Sequence, residues 1–328
     1  MEFLRFNSKY IEQAYELFCD FRNEDNFYKE LSFDEFKGLL FNSRAYQEEG
    51  TFMCLDGDKL VGFISTLCKE ADNGNPNAAG YIHTFIVKKE YRRQGIGSKL
   101  YDMAEKHFKE QGRAFARCVF LGGVNWPWYI PHTNKHMHPG CPGVIINSEY
   151  YLFLYHKKFV VNSIHEGFHL NLAEYEMPEK VRLRMEENAK EGLLIELYDP
   201  NKHYGVEEFC QKIETSNAGF AHSIRYNLNR PEPKPWLCAN ENGRMVGWTG
   251  AMWNEESGRG HFDGIIVDED IRGAGLGKAL FCYLCYQSKL NGAQYMTFFT
   301  GLDNPARYIY LGAGFKIAQS FADMKKVF

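Results

Sequence analysis

Two stretches of the chain hold residues suited to gripping a phosphate: Arg92-Arg93-Gln94-Gly95-Ile96-Gly97-Ser98 and Arg272-Gly273-Ala274-Gly275-Leu276-Gly277-Lys278. Each reads Arg-x-x-Gly-x-Gly, follows a β-branched run and opens a run of helical period. Alternating glycines let a backbone approach a ligand without Cβ interference. At a helix start they also leave N–H groups unpaired, where the macrodipole favours an anion. A pyrophosphate is the guest this favours. A Walker loop is excluded, because Arg272 stands where it needs glycine and Ala279 where it needs Ser or Thr. A dinucleotide fingerprint is excluded too, because Leu100 and Leu280 fill the place of its third small residue.

The elements around the two loops repeat as well. Ahead of the first lie a hairpin, Phe52–Leu55 with Leu60–Ile64 around Asp56-Gly57-Asp58, and the strand Tyr81–Val87. Ahead of the second lie Trp236–Ala239, the turn Asn240–Gly243, Met245–Trp248 and the strand His261–Val267. A repeat at this distance means two copies of one domain rather than one motif used twice. The expected division is 1–175 and 192–328, joined by a charged linker, 176–191, that is partly helical from Glu179. A long insert at 122–146, rich in Pro, Gly and aromatic residues, interrupts the first domain and should pack as a lid. Its His132, His136, His138 and Cys141 match no zinc spacing, so no metal is expected.

At 328 residues, 45% hydrophobic and 24% charged, the chain is large enough for two packed cores. The net charge of −4 argues against a nucleic-acid or anionic-membrane surface. No basic and apolar leader or long apolar run is present, and nine dispersed cysteines fit reduced thiols, so a cytoplasmic protein is expected. Cys282-x-x-Cys285 falls within a helical pattern and reads as core.

Loops, hairpins and residue order together resemble the GNAT superfamily of N-acetyltransferases, in a tandem layout covering nearly the whole chain. The resemblance implies an α/β fold with a mixed sheet, made twice and packed as a pseudo-dimer, the whole being a monomer or homodimer. It implies acetyl-CoA as cofactor, a small-molecule or peptide amine as acceptor, and no nucleic-acid or membrane partner. Acetyl-CoA would enter between splayed fourth and fifth strands. Its pantetheine would pair with Phe85, Ile86 and Val87 or with Ile265, Ile266 and Val267. Its pyrophosphate would rest on Arg92 to Ser98, that is Arg92, Arg93, Gln94, Gly95, Ile96, Gly97 and Ser98, or on Arg272, Gly273, Ala274, Gly275, Leu276, Gly277 and Lys278. Asn304 and Tyr310 match the family's Asn…Tyr-x-x-x-Gly-Phe element, with Tyr310 as the acid that protonates the thiolate. In the first half Tyr155 is the corresponding tyrosine, one residue nearer to Phe159 and with Lys158 in place of glycine. His83 and Asp263, on the two fourth strands, are candidate bases. The insert, with Trp126, Trp128 and Tyr129, would wall the first acceptor site. A sensor or scaffold that binds acyl-CoA without chemistry is the alternative reading.

Overall fold

The computed structural model describes residues 1–119, 123–271 and 273–328. Contacts divide the chain into one unit of Met1–Glu166 with Gln319–Phe328 and another of Gly167–Ala318. That differs from the expected division at 175 and 192 in two ways. The break falls earlier, and ten residues from beyond the second unit belong to the first.

The first unit runs β1 (Glu2–Arg5), α1 (Ile11–Asn23), α2 (Phe33–Leu39), β2 (Thr51–Asp56), β3 (Lys59–Cys68), β4 (Ala79–Val87), α3 (Ile96–Glu110) and β5 (Phe115–Cys118). Two-residue strands β6 (Trp128–Tyr129), β7 (Met137–His138) and β8 (Val144–Ile145) follow, then α4 (Glu149–His156) and β9 (Val160–Asn171), which leaves this unit at Glu166. The insert thus holds short ribbons where the sequence suggested only irregular chain, β6 pairing with β7. Ser32 and Glu35 close the capping box that starts α2, each side chain bonded to the other's backbone N–H.

β2, β3 and β4 pair antiparallel, and β4 lies parallel to β5. One face of this sheet packs on α1 and α2 through Phe18, Phe36 and Phe63, the other on α3 and α4 through Leu100, Tyr101 and Leu154. In the second unit, α5 (Glu179–Lys190), β10 (Leu193–Leu197), α6 (Val206–Leu228), β11 (Leu237–Glu241) and β12 (Arg244–Thr249) lead to a split fourth strand, β13 (Arg259–Gly260) and β14 (Ile265–Val267). α7 (Leu276–Leu290), β15 (Tyr295–Gly301), α8 (Arg307–Gly312) and β16 (Lys316–Val327) follow. α6 kinks at Asn217, so one element does the work of α1 and α2. β10, β11, β12 and β14 form an antiparallel sheet with α6 on one face and α7 on the other.

The first unit is closed by β16. Its residues Phe115, Ala116, Arg117 and Cys118 pair with Val327, Lys326, Lys325 and Met324, and Val144 and Ile145 with Ala322 and Phe321. Asp323 is fully buried there and accepts hydrogen bonds from Arg117, Asn162 and Ser163. A carboxylate is tolerated without water because a guanidinium and two neutral donors replace its hydration.

Candidate active site

Pairing between β4 and β5 stops after Tyr81 and Arg117, while β4 runs on to Val87. Beyond that point the β5-facing backbone edge of β4 has no strand partner among the described residues, and a cavity of about 360 Å³ opens between the two strands. Ile82–Ile86, with Phe85 and Ile86 among them, form one wall and Cys118 and Val119 the other. Val87 lies outside this cavity, and its carbonyl accepts from Arg92 Nε at 2.9 Å. α1 and the chain after it add Phe18, Phe21, Glu24, Asp25 and Tyr28. The insert adds Trp126, Cys141 and Gly143. Trp128 is instead fully buried, stacked on Phe27 at 5.0 Å, and is core.

Three residues after Arg92, which lines the cavity, α3 begins at Gly95, whose φ of 84° is the left-handed region that glycine enters without strain. No side chain caps this helix, so the N–H groups of its first turn stay open, and a Cβ on Gly95 would meet nothing within 4 Å. Arg93, Gln94 and Gly95 are exposed, while Ile96 is core. Gly97 faces Phe85 and Phe153, and Ser98 lies on the first turn. A diphosphate therefore fits this loop through backbone N–H groups. Arg92 is engaged elsewhere: its guanidinium grips both oxygens of Glu24, with one contact of 2.7 Å, and reaches Glu149 at 3.2 Å.

His83, Tyr150 and Cys118 also line the cavity. Burial pushes the His83 imidazole down to about 4, opposed only weakly by the backbones of Ala45 and Thr66, which face it without a well-aligned bond to Nε2. His83 Nδ1 lies 3.4 Å from Thr84 Oγ1. Tyr150 directs its hydroxyl at Cys118 Sγ, 3.4 Å away, and burial raises the phenol well above its ordinary range and the thiol to about 12. Both hold their protons at neutral pH.

Tyr155 does not line this cavity; it is 61% exposed. Phe159 N bonds to Leu154 O as Phe315 N bonds to Tyr310 O, and Lys158 takes φ 70° as Gly314 takes 98°. The position equivalent to Tyr310 is therefore Leu154, buried at 0%. One residue fewer before the phenylalanine turns the tyrosine by about 100° around the helix, into solvent. Tyr150, one turn before Leu154, is the tyrosine of α4 that lines the cavity. Its spacing of four from Leu154 was the signal available in the sequence.

The second unit carries the same loop. Gly275, φ 73°, starts α7 without a side-chain cap, and Gly273 also has positive φ. Arg272 lies outside the described residues. Ala274 O accepts from Arg184 Nε at 3.0 Å and Asn188 Nδ2 at 3.1 Å, so α5 is bound to the loop. Leu276 is core, Gly277 faces Ile309, and Lys278 is exposed beside Gly312. Ile265, Ile266 and Val267 pair with β12. Asn304 is exposed and caps the turn before α8, accepting from Ala306 N and donating to Thr300 Oγ1. Tyr310 is buried among Phe168, Phe262, Phe281 and Phe298, the last with ring centroids 4.6 Å away, and burial pushes its phenol up to about 12.

Asp263 is hydrogen-bonded to His261, which the sequence reading did not single out. Neither lies in a strand: the fourth strand, expected to run through Asp263, breaks between Gly260 and Ile265, and both residues stand in that break. Trp253 stacks on His261 at 3.3 Å, and Glu255 lies 3.5 Å from its Nδ1. Burial disfavours the imidazolium, but the two carboxylates outweigh it and raise the pKa above the ordinary value. Among the described residues no group of three or more His, Cys, Asp or Glu side chains is placed to hold a metal, and no helix is long and apolar enough to cross a membrane.

A splayed strand pair beside an uncapped Gly-x-Gly helix start, built twice, matches a known pattern. The model described as the acetyltransferase (GNAT) family fits residues 11–124 and 194–315. The chain belongs to this family. Among GNAT relatives, an uncharacterised N-acetyltransferase of Methanocaldococcus jannaschii is 33% identical over 66 residues, 20% of this chain and 29% of that protein. A solved fungal structure, the glucosamine N-acetyltransferase region of a multidomain β-N-acetylglucosaminidase, has a TM-score of 0.66 at 17% identity, covering 99% of this chain and 38% of its own. The chain thus spans less than half the length of either protein. A tandem GNAT protein from the clavulanic acid biosynthesis pathway has a TM-score of 0.55 at 13% identity, covering 99% of this chain and 98% of its own. Those likenesses bear on the fold: two GNAT folds in one chain.

Proposed function

We propose that the first unit transfers the acetyl group of acetyl-CoA to the nitrogen of an amine, by direct attack on the thioester. The observation that carries this reading is the cavity between β4 and β5, lined by Arg92 three residues before the uncapped start of α3 and by Tyr150. Acetyl-CoA, when bound, supplies an activated acyl carbon and a thiolate leaving group. The chain's part is to hold and to protonate. Backbone N–H groups at Ile96, Gly97 and Ser98 would take the diphosphate. The unpaired edge of β4 would take the amides of the pantetheine arm and give an N–H to the thioester oxygen as it gains charge. Tyr150, kept protonated by burial, is the acid placed for the departing sulfur. His83 lines the site in its neutral form and orients rather than stores a proton.

For the second unit we favour acyl-CoA binding without transfer. The specific observation is that the Tyr310 ring is packed into a cluster of phenylalanines, 4.6 Å from Phe298. The test is calorimetric titration of acetyl-CoA into the wild type and into Gly95→Glu and Gly275→Glu chains, alongside thiol release with amines. Each substitution sets a carboxylate at one helix start. Turnover lost with Gly95→Glu and kept with Gly275→Glu is the expected result; the reverse would move the chemistry to the second unit, and no binding at all would refute the reading.

A further inference from the structure

The wall of the first cavity deepens this reading and rests on it. Trp126 is fixed there, its Nε1 donating to His83 O at 3.0 Å and its ring stacked on Phe18 at 5.1 Å and 25°. Phe21 and Tyr28, 5.7 Å apart, continue the aromatic lining from the opposite side. This wall lies in the same cavity as His83 and Tyr150, so the body of the acceptor and its reacting nitrogen must share it.

An alkylammonium would need a carboxylate to hold it and a base to discharge it. Glu24 and Glu149 are both bonded to Arg92. Asp25 is exposed, and one of its oxygens accepts from Phe27 N at 2.9 Å. At the reacting end stand an imidazole, a phenol and a thiol, with no carboxylate among them. Burial keeps the imidazole neutral and unable to retain an ammonium's proton.

We infer that the acceptor of the first unit is an arylamine: a flat aromatic amine that is uncharged at neutral pH and lies against Trp126 with its nitrogen toward Tyr150. Such a nitrogen needs no deprotonation before attack. As the N–C bond forms and the C–S bond breaks, the thiolate takes the Tyr150 proton, and the proton lost by the amine returns to Tyr150. No further acid, base or oxidant is required.

The experiment uses the full chain with Gly275→Glu, so that only the first unit is supplied with acetyl-CoA, and follows thiol release with 4-methoxyaniline, phenethylamine and spermidine at pH 7. The expected result is a kcat/KM for 4-methoxyaniline at least about tenfold above either alkylamine. Trp126→Ala should lower it about three- to tenfold through KM, leaving acetyl-CoA affinity unchanged. Equal or faster turnover of an alkylamine overturns the inference while leaving the transferase reading in place. So does acetyl-CoA binding with no arylamine turnover. Failure of this chain to bind acetyl-CoA overturns both. Because the comparison of amines needs no substitution at Trp126, the inference stays testable even if Trp126→Ala misfolds.

Discussion

Replacing Tyr150 with phenylalanine removes one oxygen and leaves the rest of the side chain in place. The ring meets Phe85 edge-on at 5.7 Å, and that packing survives. The hydroxyl's contact is with Cys118 Sγ at 3.4 Å, a weak bond to sulfur whose loss should cost less than about 1 kcal/mol of stability. The kinetic effect should be far larger, because a positioned acid contributes about 10²–10⁴-fold, or about 3–5 kcal/mol of barrier. Thiol release in the Gly275→Glu chain measures kcat, calorimetry measures acetyl-CoA affinity, and urea denaturation measures stability. The expected outcome is kcat down at least about a hundredfold with affinity and midpoint nearly unchanged. Tyr155→Phe, at an exposed position, should leave all three unaltered. A Tyr150→Phe enzyme within about threefold of the wild type in kcat would refute the assignment of the acid. Loss of turnover in Tyr155→Phe would return the role to that residue.

Two further expectations concern stability. Asp323→Ala leaves Arg117 without its buried partner and should destabilise the first unit by about 3–5 kcal/mol. Asp323→Asn should recover part of this, and an unchanged urea midpoint for Asp323→Ala would show that the pair holds nothing. His83 has its pKa lowered from 6.5 to about 4, so the unfolded chain binds more protons between those values. Its contribution is complete above about pH 6.5 and lost as pH falls toward 4, up to roughly 3 kcal/mol. His83→Gln should therefore flatten the fall in stability over that window, and an identical slope in wild type and variant would refute it.

The loops, hairpins and strands were legible because each is specified locally: alternate glycines before a helical period, a turn between apolar runs, a capping box. The tyrosine that lines the first cavity was not, because a one-residue difference ahead of Phe159 moves Tyr155 to the outer face of α4 and nothing in composition registers it. Arg92 looked available because Glu24, its main partner, lies 68 residues away in sequence. The His261–Asp263 pair was not legible because it forms where the fourth strand breaks, between Gly260 and Ile265. The cavity wall was partly foreseen: Trp126 does line it, whereas Trp128, in the same tripeptide, faces the core. β16 was the least legible element, since its mixed apolar and polar sequence does not state which sheet will take it.

That strand imposes an order of events on synthesis. When Glu166 has been made, the first unit still has β5 without the neighbour it will pair with and Arg117 without its carboxylate. Both arrive only after Gly167–Ala318 have been translated, 152 residues later. At about 5–20 residues per second this leaves roughly 8–30 s during which the nascent first unit presents an open strand edge on the ribosome. Such an edge pairs readily with other chains, so the interval is one in which a chaperone has reason to bind. A transcript cut short inside the second unit would yield a first unit that cannot close.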